Sequence, residues 1–266
     1  MTGGRRWWAA VVVVVMSSSV LVAQAQARTT ERFDVTVRGK VLSLQMYHPS
    51  AAPKGTVFMG SGDVGWVGLG VSMAEFLADE GYRVVGVNVR QYLSVFTVGK
   101  SHLEVSDVPA DYLAMAEAVK AKGWLVQPVI LSGVSEGAAL SMLAATTTRN
   151  HEWVRGVITM GLPAIAELAW RWTDFTAWIT KSDANEPSFN ATEYVAQVSP
   201  LPLYMLQSVK DEYVTEAEYR LFEKTAKAPK KQVLIPASNH RFTDKRNELL
   251  AGYREGLAWV ASVKAP

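Results

Sequence analysis

Short apolar runs that recur between helix-patterned stretches constrain this chain more than any other feature. GTVFMG (55–60), YRVVGVNV (82–89), QPVILSG (127–133), VRGVITMG (154–161), PLYMLQS (202–208) and KQVLIPA (231–237) each have the length of one strand. VVGVNV and PVILSG are apolar almost throughout, the pattern of strands covered on both faces rather than one. Helical patterns intervene: VSMAEFLADEG (71–81), VSDVPADYLAMAEAVKAKG (105–123), a stretch from about Ser135, EAEYRLFEKTAKA (216–228), and a last one over roughly 244–264. Gly81 and Gly123 read as stops, and Asp107 as the N-cap of the second helix. Ahead of them, FDVTVRGKVLSLQMYHP (33–49) alternates about Arg38-Gly39-Lys40 and predicts a β-hairpin. Strands alternating with helices build βαβ units, so the expected class is α/β with a mostly parallel sheet. With 49% hydrophobic residues in 266, residues 28–266 suffice for one domain with a sizeable core.

One segment breaks the alternation. PAIAELAWRWTDFTAWITKSDANEPSFNATEYVAQVSP (163–200) is long for a connection between two strands and carries Trp170, Trp172, Phe175 and Trp178. It is either a long crossover helix with a loop or a small cap over the ligand edge of the sheet. In the cap reading its tryptophans line the route to the site.

The first 27 residues are expected to lie outside the fold. Arg5 and Arg6 precede an apolar run about Val11–Met16, and Ala23-Gln24-Ala25 and Ala25-Gln26-Ala27 both fit an A-x-A exit. That is the pattern of a secretory signal, with cleavage after Ala27 favoured over Ala25. The arginine pair hints at the twin-arginine route. The alternative is an uncleaved anchor, against which Ser17–Ser19 interrupt a short apolar run. Without this segment the 27 basic residues lose two and match the 25 acidic ones, which leaves no basic excess to draw nucleic acid. The chain has no cysteine, so disulfides, thiolate metal sites and a cysteine-linked lipid are excluded. An exported, cysteine-free chain of this size reads as bacterial and periplasmic or secreted.

Within LSGVSEGAALSMLA (131–144), a G-x-S-x-G falls where the strand gives way to a helix. Only that context makes the motif chemical, because a sharp strand-to-helix turn lifts the serine above the sheet edge. Ser135 is therefore the candidate nucleophile, and the bland alternative is a tight connection without chemistry. A serine hydroxyl needs a base, and in triads built on such an elbow the acid and then the histidine follow in the chain. Of His48, His102, His151 and His240, only His240 follows both Ser135 and a later strand, in PASNHRF before the last helix. The other three are expected to be exposed loop histidines. The loop VKDEYV after PLYMLQS offers two acids, Asp211 and Glu212. Two backbone N–H groups must hold the oxyanion: that of the residue after the nucleophile, Glu136, and one from the loop after the third strand, SGDVGW, where Asp63 is the donor by position.

SGDVGW taken with GVSEGA resembles the α/β-hydrolases, and among them the bacterial VirJ/AcvB virulence-protein family, with its S-G-D-G-G-W loop and G-Y-S-x-G-A elbow. Val64 stands where that family has glycine and Val134 where it has tyrosine. GYRVVGVNVRQY (81–92) is similar to the strand after the family's first helix, and His240-Arg241-Phe242 stands at its late H-H-F-type pattern. The resemblance spans roughly residues 55 to 245. It implies the α/β-hydrolase fold, a mostly parallel central sheet flanked by helices, with Asp211 rather than Glu212 as the acid. It implies a periplasmic serine hydrolase acting on esters through an acyl-enzyme, with no cofactor and no metal. Similar members hydrolyse the aminoacyl ester of lysyl-phosphatidylglycerol, and VirJ-like members are linked to type IV secretion. The implied partners are thus a small-molecule or lipid ester, a membrane surface and a secretion-system protein, with no nucleic acid. A binding protein on the same scaffold, serving a secretion complex, is the rival reading. Trp66 in the glycine loop and Trp172 are the candidate substrate-binding aromatics.

Both residues expected to supply oxyanion amides are acids. A carboxylate beside a developing oxyanion opposes it unless it turns away or meets a cation. Glu136 then either suits a helix start while Asp63 braces its own loop, or one of the two receives a substrate ammonium.

Overall fold

The computed structural model of the protein describes residues 28–99, 101–170 and 187–264. The six apolar runs and the two strands of the expected hairpin form one eight-stranded sheet. The strands are β1 (Thr29–Val37), β2 (Lys40–His48), β3 (Thr56–Gly60), β4 (Arg83–Val87), β5 (Val129–Val134), β6 (Val154–Met160), β9 (Leu203–Ser208) and β10 (Lys230–Ile235). Their order across the sheet is β1-β2-β4-β3-β5-β6-β9-β10. β1/β2 and β2/β4 are antiparallel, and every pairing from β4 to β10 is parallel. The chain starts the parallel part at β3, steps to β4, then returns past β3 to β5. The loops after β3 and β5 therefore emerge side by side at the carboxyl edge, where open α/β sheets bind ligands.

Seven helices can be assigned among the described residues: α1 (Leu69–Asp79), α2 (Val89–Phe96), α3 (Asp107–Ala121), α4 (Glu136–Ala144), the single turn α5 (Thr148–His151), α6 (Glu216–Thr225) and α7 (Arg246–Ser262). Successive residues of each central strand serve opposite cores. Phe58, Val85, Leu131, Val157 and Met205 pack with α2, α3 and α4. Val57, Met59, Val84, Ile130, Ile158 and Leu206 pack with α1 and α7. β3, β5 and β9 are buried at every position, which explains why those stretches read as apolar runs.

The hairpin turns on Arg38 (φ 46°) and Gly39 (φ 75°), the two left-handed residues that a tight hairpin loop requires. The Arg38 guanidinium then reaches α3, where it binds the buried Asp111 through two 2.7 Å hydrogen bonds. It lies 3.9 Å over the ring of Phe96, and Tyr92 donates to the same carboxylate at 2.7 Å. With Asp107 also 3.2 Å from it, one guanidinium clamps the hairpin to α2 and α3.

Three expectations are corrected. VRQYLSVF forms α2, hidden in the sequence because its first apolar residue continues the run of β4; Asn88 caps it by accepting from the Gln91 N–H at 3.2 Å. Asp107 is the first residue of α3 rather than its cap, and its carboxylate accepts the Glu104 N–H. Residues 163–200 do not begin as a crossover helix. They open with β7 (Ile165–Glu167), which pairs antiparallel with β8 (Ser188–Asn190), and close with two 3₁₀ turns. β7 and β8 thus form a ribbon flanking residues 171–186, which lie outside the described residues together with Trp172, Phe175 and Trp178.

Asp111→Ala should leave the Arg38 guanidinium with only Asp107, 3.2 Å away, and the Tyr92 hydroxyl without its acceptor. A loss of about 2–3 kcal/mol is expected, the range for hydrogen bonds to a charged group. Urea unfolding followed by circular dichroism measures it, and Arg38→Ala should lose at least as much, because it strands the buried Asp111 carboxylate without its cation.

Candidate active site

Strand β5 runs straight into α4 through Ser135, whose φ of 54° and ψ of −121° lie outside the regions ordinary residues prefer. The flanking glycines show why the chain accepts this. A Cβ on Gly133 would stand 2.1 Å from the Gly137 carbonyl oxygen, and one on Gly137 would stand 2.4 Å from the Gly60 carbonyl carbon. α4 is thus pressed against both its own strand and the end of β3. The Ser135 N–H donates to the Met160 carbonyl at 2.9 Å, which fixes the elbow to β6. Ser135 remains partly exposed at the carboxyl edge.

His240 arrives over the end of β6 from the loop after β10. Phe242, fully buried and left-handed at φ 52°, plugs that loop into the α1/α7 core. The ring of His240 rests on Gly161: a Cβ there would stand 2.7 Å from the ring Cε1, and Gly161 has φ of 60°. Gly161 follows Met160, the residue that accepts from Ser135, so the imidazole and the serine meet at the same strand end.

The two acids of the β9–α6 loop both serve His240. Asp211 Oδ2 lies 2.7 Å from His240 Nδ1 and also accepts from Gln207 Nε2 at 3.1 Å. Its Oδ1 accepts the N–H groups of Tyr213 and Val214, each at 2.9 Å. Glu212 Oε2 accepts the backbone N–H of His240 at 2.7 Å. The Asp211 side chain has no exposed surface. Thr215 and Glu218 form a capping box at the start of α6, so Asp211 is not needed as its cap. Tyr213 packs edge-on against the imidazole, 5.3 Å between ring centres. His240 Nε2 is buried and has no hydrogen-bond partner among the described residues; a Ser135–His240 hydrogen bond is not formed.

The glycine loop flanks the elbow on the other side, with a Cβ on Gly62 placed 3.8 Å from Ser135 Cβ. Neither the Asp63 nor the Glu136 N–H is taken up by a protein acceptor among the described residues. Their carboxyl groups differ. Asp63 is exposed and its Oδ1 accepts the neighbouring Val64 N–H at 2.9 Å, bracing its own loop. Glu136 is buried and accepts the Glu167 N–H of β7 at 2.7 Å. Burial pushes its carboxyl up to about 8, and the nearby Glu167 and Asp63 push the same way. Its neutral form is thus favoured at neutral pH, whereas Asp63 lies open to solvent.

Trp66 does not join this group. Its ring lies on β4, where a Cβ on Gly86 would come within 2.3 Å of it, and its Nε1 donates to Tyr47 on β2 at 3.2 Å. It pins the glycine loop to the sheet, two strands from the elbow. Trp170, next to the undescribed Trp172, packs under the Arg90 guanidinium at 4.1 Å. The remaining histidines are not all loop residues. His48 ends β2 and pairs with Glu31 at 2.9 Å, and His151 ends α5 with Nε2 2.9 Å from the Ala145 carbonyl. His102 lies in a loop, 3.3 Å from Glu104.

Gln207 and Gly161 were not singled out from the sequence as parts of the site, and Glu212, one of the two acids offered, holds the backbone of His240 rather than its ring. Gln207 had a signal, being the one amide in the apolar run PLYMLQS. Gly161 had only its place at a strand end.

Strand order, elbow and histidine loop together define an α/β-hydrolase. Solved structures share the architecture at low identity. The esterase domain of a Rhodothermus marinus protein matches with a TM-score of 0.60 and 17% identity, covering 88% of this chain and 98% of that one. A dienelactone hydrolase from Anabaena variabilis matches at 0.64 and 15%, covering 90% and 100%. An α/β serine hydrolase without a lid from Xanthomonas campestris matches at 0.56 and 20%, covering 88% and 97%. Within that class the chain belongs to the family described as bacterial virulence protein (VirJ), which matches residues 55–253. The uncharacterized protein YfhR of Escherichia coli O157:H7 is 27% identical over 134 residues, 49% of this chain and 44% of that protein. The chain thus spans less than half the length of that curated relative.

Gly161→Ala should displace the imidazole and disrupt its bond to Asp211. A left-handed alanine adds about 1–2 kcal/mol of strain. The parent protein should show a far-downfield Nδ1 proton of His240 by proton NMR, and that signal should shift or vanish in the variant. Asp211→Asn should remove the same signal.

Proposed function

We propose that the protein is an exported serine hydrolase that cleaves carboxylic esters through an acyl-enzyme, with Ser135 as nucleophile, His240 as base and Asp211 as its orienting acid. The observation that carries this reading is the 2.7 Å contact from Asp211 to His240 Nδ1 beside a serine at φ 54°. A carboxylate so held keeps the proton on Nδ1 and leaves Nε2 as the acceptor. Rotation of the Ser135 hydroxyl toward Nε2 starts the reaction, since serine–histidine bonds in such sites commonly tighten only with substrate in place. The Oγ attacks the carbonyl carbon as its proton passes to Nε2. The Asp63 and Glu136 N–H groups would take the oxyanion. His240 returns the proton to the leaving alkoxide, and water repeats the sequence to release the acid.

Two features bear on the substrate. Val64 and Val67 of the glycine loop, Ile165 of β7, and Val209 and Tyr213 of the acid loop are all exposed. They follow the carboxyl ends of β3, β6 and β9, giving the mouth an apolar rim that suits an amphiphilic ester. Asp63, exposed beside Ser135, would meet a cationic substituent. These support the substrate that the family resemblance implies, an aminoacyl ester of a phospholipid, with the ammonium at Asp63. Export rests on residues 1–27, whose charged, apolar and small-residue zones fit a signal segment.

A fluorophosphonate probe should label the purified protein at Ser135, and Ser135→Ala should abolish both labelling and ester turnover with an unchanged circular dichroism spectrum. The loss should reach several powers of ten, about 10⁶ in a dissected serine protease. Absence of labelling in the parent protein would favour the binding-protein reading instead. For the substrate class, Asp63→Asn should lower kcat/KM for a lysyl ester about tenfold, ~1.4 kcal/mol, and leave a matched neutral ester unaffected. An equal drop for both esters would make Asp63 a brace for the loop only.

A further inference from the structure

The two-stranded ribbon β7–β8 touches the elbow through one side chain. Glu136 follows the candidate nucleophile, lies at the first position of α4, and points its carboxyl away from the helix to the backbone of β7, where Oε1 accepts the Glu167 N–H at 2.7 Å. The backbone N–H of the same residue is a proposed oxyanion donor. We infer that Glu136 is a positioning residue, its carboxyl coupling the ribbon that flanks residues 171–186 to the oxyanion amide. This inference rests on the serine-hydrolase reading.

Charge decides how the coupling behaves. The titratable groups that face Glu136 are Glu167 from β7 and Asp63 from the glycine loop, both acidic. The Glu167 N–H and the helix end of α4 favour negative charge, but burial outweighs them and the two acids add to it, so that the carboxyl ionises only near pH 8. Neutral Glu136 accepts the Glu167 N–H without placing a charge beside the nascent oxyanion. Ionised Glu136 would repel Asp63 and Glu167 and raise the energy of the oxyanion held by its own amide. The rate of acyl-enzyme formation should therefore fall as pH rises through about 8. Stability moves the same way. The group's pKa is raised on folding from 4.5 to about 8, so across that window the folded protein keeps a proton that the unfolded chain has released. Stability then falls with rising pH over the window and levels off above it.

Glu136→Gln keeps an acceptor for Glu167 and cannot ionise. With a neutral ester its rate profile, normalised to pH 7, should lack the fall near pH 8. Its Tm advantage over the parent protein should grow from pH 5 to pH 8. Glu136→Ala breaks the tie: the Glu167 amide should exchange its hydrogen faster, and kcat should drop by up to about 10²-fold, the effect of a misplacement near 1 Å. A parent-like fall near pH 8 in Glu136→Gln, or an unchanged Glu167 amide in Glu136→Ala, would overturn the inference. The exchange measurement needs no turnover. If the parent protein shows neither labelling nor hydrolysis, the serine-hydrolase reading fails while exchange at Glu167 still decides whether Glu136 holds the ribbon.

Discussion

The site hangs on the close approach of α4 to β3. Gly60 and Gly137 meet with no room for a methyl group on either, so α4 begins directly above the neighbouring strand. That contact forces β5 to turn within one residue, and Ser135 bears the resulting backbone geometry. A bulkier residue at either glycine would push the helix outward and relax the turn. The loop after β3 then faces the elbow across the same gap, because β3 and β5 are adjacent. Elbow, glycine loop and free amides are consequences of one packing constraint.

Orientation of the base follows a different physical route. His240 stands on a loop, and loops are positioned by what ties them down. Four ties act here: Phe242 in the core, Gly161 beneath the ring, Glu212 on the backbone N–H and Asp211 on Nδ1. Asp211 is held in turn by Gln207 and two backbone N–H groups. Its carboxyl group therefore sits in a cage of donors. Such a carboxylate can orient an imidazole while staying ionised through the proposed reaction.

The parallel core was legible because buried strands leave long apolar runs and glycine marks where they turn. The serine, the histidine and the pair of acids were legible because chain order and loop position restrict the candidates to very few. What was hidden depends on distant packing. α2 begins inside an apolar run that already counts as strand, and nothing local separates the two. Trp66 sits within the glycine loop in sequence, yet its indole turns onto Gly86 and Tyr47, a destination set by a missing side chain on another strand. His48 and His151 look like surface residues from their polar neighbours, whereas Glu31 and the Ala145 carbonyl hold them in place. The β7–β8 ribbon is three residues per strand, too short for alternation to signal.

A site meant to stabilise negative charge is here surrounded by carboxyl groups, and the structure resolves that conflict by giving each a separate fate. Asp211 lies inside a ring of donors, on the far side of the imidazole from the serine. Glu212 spends its charge on a backbone N–H. Asp63 turns onto its own loop and stays in water, where its field is screened and a substrate cation can reach it. Glu136, closest in the chain to the nucleophile, is the one acid that cannot be screened or paired, and burial removes its charge instead. The carboxyl nearest the proposed oxyanion amide is thus held toward its neutral form, and its hydrogen bond to the Glu167 N–H ties α4 to β7. Substitution at 136 by any residue that keeps a fixed negative charge out of the pocket and an acceptor toward Glu167 preserves both conditions, which is why the chemistry of this position is set by neutrality and reach rather than by acidity.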